Sequence, residues 1–204
     1  MEKCQILSTW ATAGMEDFYL SFELEDRWHK QSLFYCHQGL EKICKAYHIR
    51  KCSKQWMEQR SKDLALKKID QIAKGLGHDI PRFVKCMQSR SILPSYRPPR
   101  PYSEDDLLEA LQAVYIEARY PVPQPFYRTK GQDGKERFQI SSSSFKIYHD
   151  LLGETALRDY ARSMARTLLK KIEDEYSVRI SYSRFSGKIS AQDWERFANV
   201  FYGT

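Results

Sequence analysis

Long apolar runs are missing from this chain, so no segment reaches the length needed to cross a bilayer as a helix, and no membrane partner is expected. The first ten residues, MEKCQILSTW, lack the basic start and apolar stretch of a signal peptide, which points to the cytoplasm. Cysteine pairs in CxxC form are also missing. Five cysteines (Cys4, Cys36, Cys44, Cys52, Cys86) are an odd number, and read as free, mostly buried thiols of a reducing compartment. No GxSxG elbow, P-loop or dinucleotide fingerprint occurs, so the common routes to serine hydrolysis, nucleoside triphosphate chemistry and hydride transfer have no support.

What is present is enough for a core. Across 204 residues, 42% are apolar and 13% aromatic, which suits one large domain rather than a disordered chain. A formal charge of +7 favours an acidic partner such as nucleic acid, nucleotide or an acidic protein.

Helical periodicity dominates the pattern. Met15, Phe18, Tyr19 and Phe22 set a helix from Thr12 to about Trp28, and Leu33, His37, Leu40, Cys44 and Tyr47 set another from His29 to His48. A third region runs from Trp56 to Ala73, with Leu66, Ile69, Ile72 and Leu76 in phase, and ends at Gly75 and Gly77. A short helix over His78–Met87 follows. The proline-rich segment from Leu93 to Pro101 excludes helix. Ser103 then caps a helix that stops near Tyr120, before Pro121, and buries Leu107, Leu111, Val114 and Ala118.

Between Pro121 and Asp150 the period is lost. Residues 126–130 and 137–140 flank Asp133-Gly134, the signature of a hairpin turn, and the serines at 141–144 read as loop. A long helix resumes over Glu154–Tyr176. The tail offers a strand at Val178–Tyr182 and a last helix capped by Ser190, with Trp194, Phe197 and Phe201 on one face. The expected architecture is all-α: an up-and-down antiparallel bundle of four to five main helices over 10–176, with a small β-hairpin insertion at about 122–150 and a C-terminal extension over 177–204.

Several constellations bear on chemistry. His37 lies within an apolar stripe with Glu41 beside it; a satisfied core histidine and a Glu41–Lys45 pair at i, i+4 explain them without a site. Cys44, His48 and Cys52 stand four apart but lack a fourth ligand, so packing is the favoured reading and no metal or cofactor is expected. Arg158, Arg162, Arg166 and Lys170 recur every four residues, either as a solvated face softened by acidic neighbours or as a docking strip for phosphates. Glu117, Arg119 and Tyr120 crowd the end of the fourth main helix.

Three stretches, taken in order, resemble the HEPN family (higher eukaryotes and prokaryotes nucleotide-binding domain). They are QGLEKICKA, with Gln38, Glu41, Lys42, Lys45 and Ala46; Gly77-His78-Asp79-Ile80; and Glu117-Ala118-Arg119-Tyr120-Pro121. The likeness covers roughly 10–120 and 154–176. It implies an all-α bundle, a homodimer, a toxin–antitoxin or defence setting, and an encoded minimal nucleotidyltransferase as partner. Many members are metal-independent ribonucleases with an Arg-x(4–6)-His motif, four to six residues separating the arginine from the histidine. This chain departs there, because the next histidine after Arg119 is His149. The expectation is therefore a non-catalytic module binding nucleotide, RNA or a partner protein, with Arg119, Tyr120, Arg158, Arg162, Arg166 and Lys170 as binding residues. Two alternatives remain: a ribonuclease with a rearranged site using His78 and Arg119, and a structural protein-interaction subunit.

Overall fold

The computed structural model describes residues 3–119, 126–130, 136–140, 151–176, 185 and 187–203. These residues form a helical protein with a single pair of strands. In chain order, the elements are α1 (Lys3–Leu24), α2 (His29–Lys51), α3 (Ser53–Met57), α4 (Lys62–Gly75), α5 (Ile80–Ser89), α6 (Glu104–Arg119), β1 (Phe126–Lys130), β2 (Glu136–Ile140), α7 (Leu151–Tyr176) and α8 (Ala191–Tyr202). Among the described residues no helix is long and apolar enough to cross a membrane.

The first helix begins nine residues earlier than the reading from Thr12, at Lys3. Ile6 and Leu7 are the reason. They continue the buried face toward the N-terminus and join Ile49, Trp56, Ile69 and Ala73 in a small second core. Trp56 is fixed there by donating its indole N–H to the Ile49 carbonyl at 3.0 Å.

The expected helix over Trp56–Ala73 is in fact two. The chain leaves helical geometry after Met57, and α4 starts afresh where Ser61 accepts a hydrogen bond from the Leu64 amide. Its buried side is Ala65, Ile69 and Ala73, whereas Leu66 faces solvent. The true stripe is thus set one residue before Leu66. A leucine stripe outweighed two alanines in the sequence, although the alanines let α4 lie close to its neighbours.

Elsewhere the described helices fall where periodicity places them, with shifted ends, and the burial of Ala118 lies outside the described residues. In α5, Asp79 caps the Arg82 amide, and Ile80, Phe83, Val84 and Met87 are buried. Ser103 and Asp106 cap each other at the start of α6: the Asp106 amide donates to Ser103 Oγ at 3.1 Å, and the Ser103 amide donates back at 2.8 Å. Glu104 then ties three segments together, accepting from Gln88 at 2.6 Å, the Tyr96 amide at 3.1 Å and the Tyr160 hydroxyl at 3.0 Å. β1 and β2 pair antiparallel, Phe126 opposite Ile140 and Lys130 opposite Glu136. The Asp133-Gly134 turn, the 141–144 serines and the 178–182 strand lie outside the described residues.

The main core surrounds α2, which packs on α1, α6 and α7. α1 and α2 run antiparallel: Gly14 meets Gly39 and Ile43, and further along Ser21 meets Ser32. The tail helix α8 enters this same core. Its Phe201 ring lies 5.1 Å from Phe18, and Phe197 lies 5.6 Å from Tyr19. The C-terminal helix therefore contributes Phe197 and Phe201 to the main core.

Candidate functional site

Helix α2 carries His37, Glu41 and Lys45 at successive four-residue steps, so all three face the same side, and all three are buried. Burying a carboxylate and an ammonium is costly unless each is paired. Here Lys45 Nζ lies 2.6 Å from Glu41 Oε1. The other partner comes from the turn between α4 and α5. Gly77 takes a left-handed φ of 64°, open to glycine at no steric cost, and the chain reverses there to bring His78 onto α2. His78 Nδ1 lies 2.9 Å from Glu41 Oε2 and 3.0 Å from Oε1. Because a carboxylate only accepts, Nδ1 carries the hydrogen, and Nε2 is left without a protein partner among the described residues.

Helix α6 completes the cluster. The Tyr115 ring stacks with two imidazoles, 4.7 Å from His37 and 4.8 Å from His78. One turn of α6 earlier, Gln112 Oε1 accepts from the Ile80 amide at 3.1 Å, which pins the start of α5. The result is a carboxylate–imidazole pair with an uneven environment: the Glu41 side chain is 5% exposed and the His78 side chain 49%. A neighbouring pair, Lys42 on Asp17 at 2.6 Å, links α2 to α1, and burial raises the Asp17 pKa against the pull of Lys42.

His37 lies deeper. Burial lowers its pKa to about 4; Glu41 works in the opposite direction, and His78 and Lys45 add to the lowering. The unfolded chain therefore binds the His37 proton more readily than the folded one between about pH 4 and 6.5. The contribution of His37 to stability should be fully present above pH 6.5 and decline as pH falls toward 4. We expect the decline to be about 2 kcal/mol, short of the full linkage value because a charged ring draws in water. Urea titrations of wild type and His37→Phe at pH 4.5 and 7 check this; equal pH dependence in the two proteins would contradict it.

The four cations read as one strip divide. Arg162 is buried, its guanidinium 2.6 Å from Glu25 at the end of α1, and Arg158 Nε is 3.7 Å from the same carboxylate. Arg166 is half-buried and Lys170 exposed. A helix advances about 100° per residue, so each four-residue step drifts about 40° around the axis. Three steps move the face by about 120°, from interior to solvent. The single docking strip is corrected to an interior pair and an outer pair. Arg162→Glu should then lower stability by about 2 kcal/mol by setting a carboxylate against Glu25, while Lys170→Glu should change it by less than about 0.5 kcal/mol. Thermal melts of the two variants separate these outcomes.

Other sequence candidates fall as follows. Arg119 is the last residue of α6, one turn beyond Tyr115; its side chain and Tyr120 lie outside the described residues. Cys44 is buried, and burial pushes its thiol up to about 12. His48 Nε2 and Cys52 Sγ are 3.4 Å apart. Among the described residues no three His, Cys, Asp or Glu side chains gather as a metal site. Cys36 is buried too, Cys52 is half-buried and Cys86 exposed. Tyr115 and Gln112 were not singled out from sequence; the available signal was their spacing of one helical turn, with Tyr115 in turn one turn before Arg119. Set against protein-family models, curated proteins and solved structures, the chain matches none.

Proposed function

We propose that this chain is a HEPN-type module, its helices an up-and-down bundle, that binds the phosphates of RNA or a nucleotide at the His78 edge. One observation carries the reading: the QGLEK and GHDI segments, with Glu41 and His78 37 residues apart, meet in one hydrogen-bonded cluster with a half-exposed imidazole. A buried carboxylate on Nδ1 fixes the ring and turns Nε2 away from Glu41, where a charged imidazole would donate to an anionic oxygen. Arg119, one turn beyond Tyr115 in α6, supplies further positive charge for the same ligand. A homodimer, a nucleotidyltransferase partner and a toxin–antitoxin setting belong to this proposal. Fluorescence anisotropy with a labelled single-stranded RNA and with labelled ATP tests it. His78→Ala should weaken binding by about tenfold, and raising salt should weaken wild type as well. Undiminished affinity in His78→Ala would remove His78 from the site.

A second reading is favoured by the same hydrogen bond. A histidine oriented by a carboxylate is placed as a general acid or base, and Arg119 would stabilise charge on a phosphate, giving a metal-independent ribonuclease. Incubation with tRNA and mRNA in chelator decides it. Cleavage lost in His78→Ala supports the reading, and no cleavage, or cleavage the variant retains, rejects it.

A further inference from the structure

On the other side of α5 lies a cavity of about 190 Å³ that the proposed phosphate site does not use. Its apolar wall is made by Leu76, Phe83, Met87 and Ile92, with the Tyr47 ring beside them. Cations surround this wall: Lys51 from the end of α2, Arg82 from α5 and Arg90, which caps the C-terminus of α5. Arg82, Cys86 and Arg90 follow at four-residue steps, which keeps them on neighbouring parts of one helix face. Among the described residues no carboxylate lies within ion-pair distance of Lys51, Arg82 or Arg90; Lys51 instead rests over the Tyr47 ring at 5.6 Å. The one acid in the lining, Asp79, is engaged in capping the Arg82 amide. His48 also lines the cavity, where burial and Arg90 both hold it below its ordinary pKa.

Three like charges held around one concavity repel each other, and such an arrangement is relieved by an anion. A bare inorganic ion would leave the apolar wall wet. The size also selects: an apolar cavity of about 150 Å³ takes one benzene-sized ring, so this one takes a single ring and a charged substituent rather than a whole dinucleotide. We infer that this cavity is a binding site for a single-ring aromatic anion, a carboxylate or phosphate on a planar ring. The ring packs against Phe83 beside Tyr47, and the anionic group meets Arg82, Arg90 and Lys51 at the mouth.

The full chain is titrated by calorimetry with benzoate and with phenyl phosphate, and in parallel with inorganic phosphate and benzyl alcohol. The first two separate carboxylate from phosphate ligands, and the last two carry the charge without the ring and the ring without the charge. At least one ring-bearing anion should bind saturably in the millimolar range or tighter, at least about tenfold more tightly than either partial compound. The double variant Arg82→Gln, Arg90→Gln should lose about tenfold or more of that affinity. Both arginines are exposed, so the variant should melt as wild type does. Inorganic phosphate binding as tightly as phenyl phosphate, affinity unchanged in the double variant, or no saturable binding of either ring anion would overturn the assignment. Because His78 is not in the lining, His78→Ala should leave this binding intact, which separates the outcome from that of the phosphate site.

Discussion

Glu41→Ala is expected to lower the unfolding free energy by about 4 kcal/mol near neutral pH. Glu41 is a buried carboxylate holding two positive or proton-donating partners, Lys45 at 2.6 Å and His78 at 2.9 Å. Truncation leaves the Lys45 ammonium, itself almost fully buried, with no counter-charge. Breaking one side of a buried pair costs more than removing both, since the survivor keeps its desolvation penalty. Alanine's better helix propensity returns only a few tenths of a kcal/mol. The double variant Glu41→Leu, Lys45→Met should accordingly recover most of the loss. Urea unfolding of wild type, single and double variants measures all three. A single-variant loss below about 1 kcal/mol, or a double variant no better than the single, would show that this pair is solvated rather than interior.

The separate legibility of these two residues shows where sequence reading ends. Glu41 and Lys45 are a local i, i+4 pair, and periodicity alone places them together. Their joining to His78 depends on how far the chain turns at Gly75–Gly77, and no local rule specifies that angle. Tyr115 was hidden for a similar reason: an aromatic on a helix face reads as core until the two imidazoles stacked with it are placed. The helices themselves were legible because their apolar faces repeat. Errors fell where small residues did the packing, as with Ala65 and Ala73 in α4, or where an interior polar residue stood in a periodic array, as with Arg162. A four-residue repeat of arginines looks like a stripe in sequence, yet the 40° drift per step carries it from Glu25 to solvent. The 58–61 break was not marked by proline or glycine, and only the Ser61 cap announces it.

The helix contact that sets α1 on α2 gives the other large expected effect, in Gly39→Val. An added Cβ at Gly39 would stand 2.7 Å and 2.8 Å from the Phe18 ring and 2.9 Å from the Gly14 carbonyl oxygen. The carbonyl is part of a helix and cannot move alone. Phe18 is fully buried against Phe201, so displacing its ring pushes on α8 as well. Alanine at this position gains about 1 kcal/mol of helix propensity, but its Cβ is the clashing atom, so Gly39→Ala should itself cost about 1–3 kcal/mol. Valine adds two methyls and a stiff χ1 to the same space, and should cost about 4 kcal/mol. Gly75→Ala is the internal comparison: nothing lies within 4 Å of its added Cβ, so it should be neutral or slightly stabilising. If α8 is held through Phe18, Gly39→Val should also flatten the near-ultraviolet signal of the Phe185–Trp194 ring pair, stacked at 4.6 Å at the start of that helix. Equal stabilities for Gly39→Val and Gly75→Ala would mean that α1 and α2 do not approach this closely in solution.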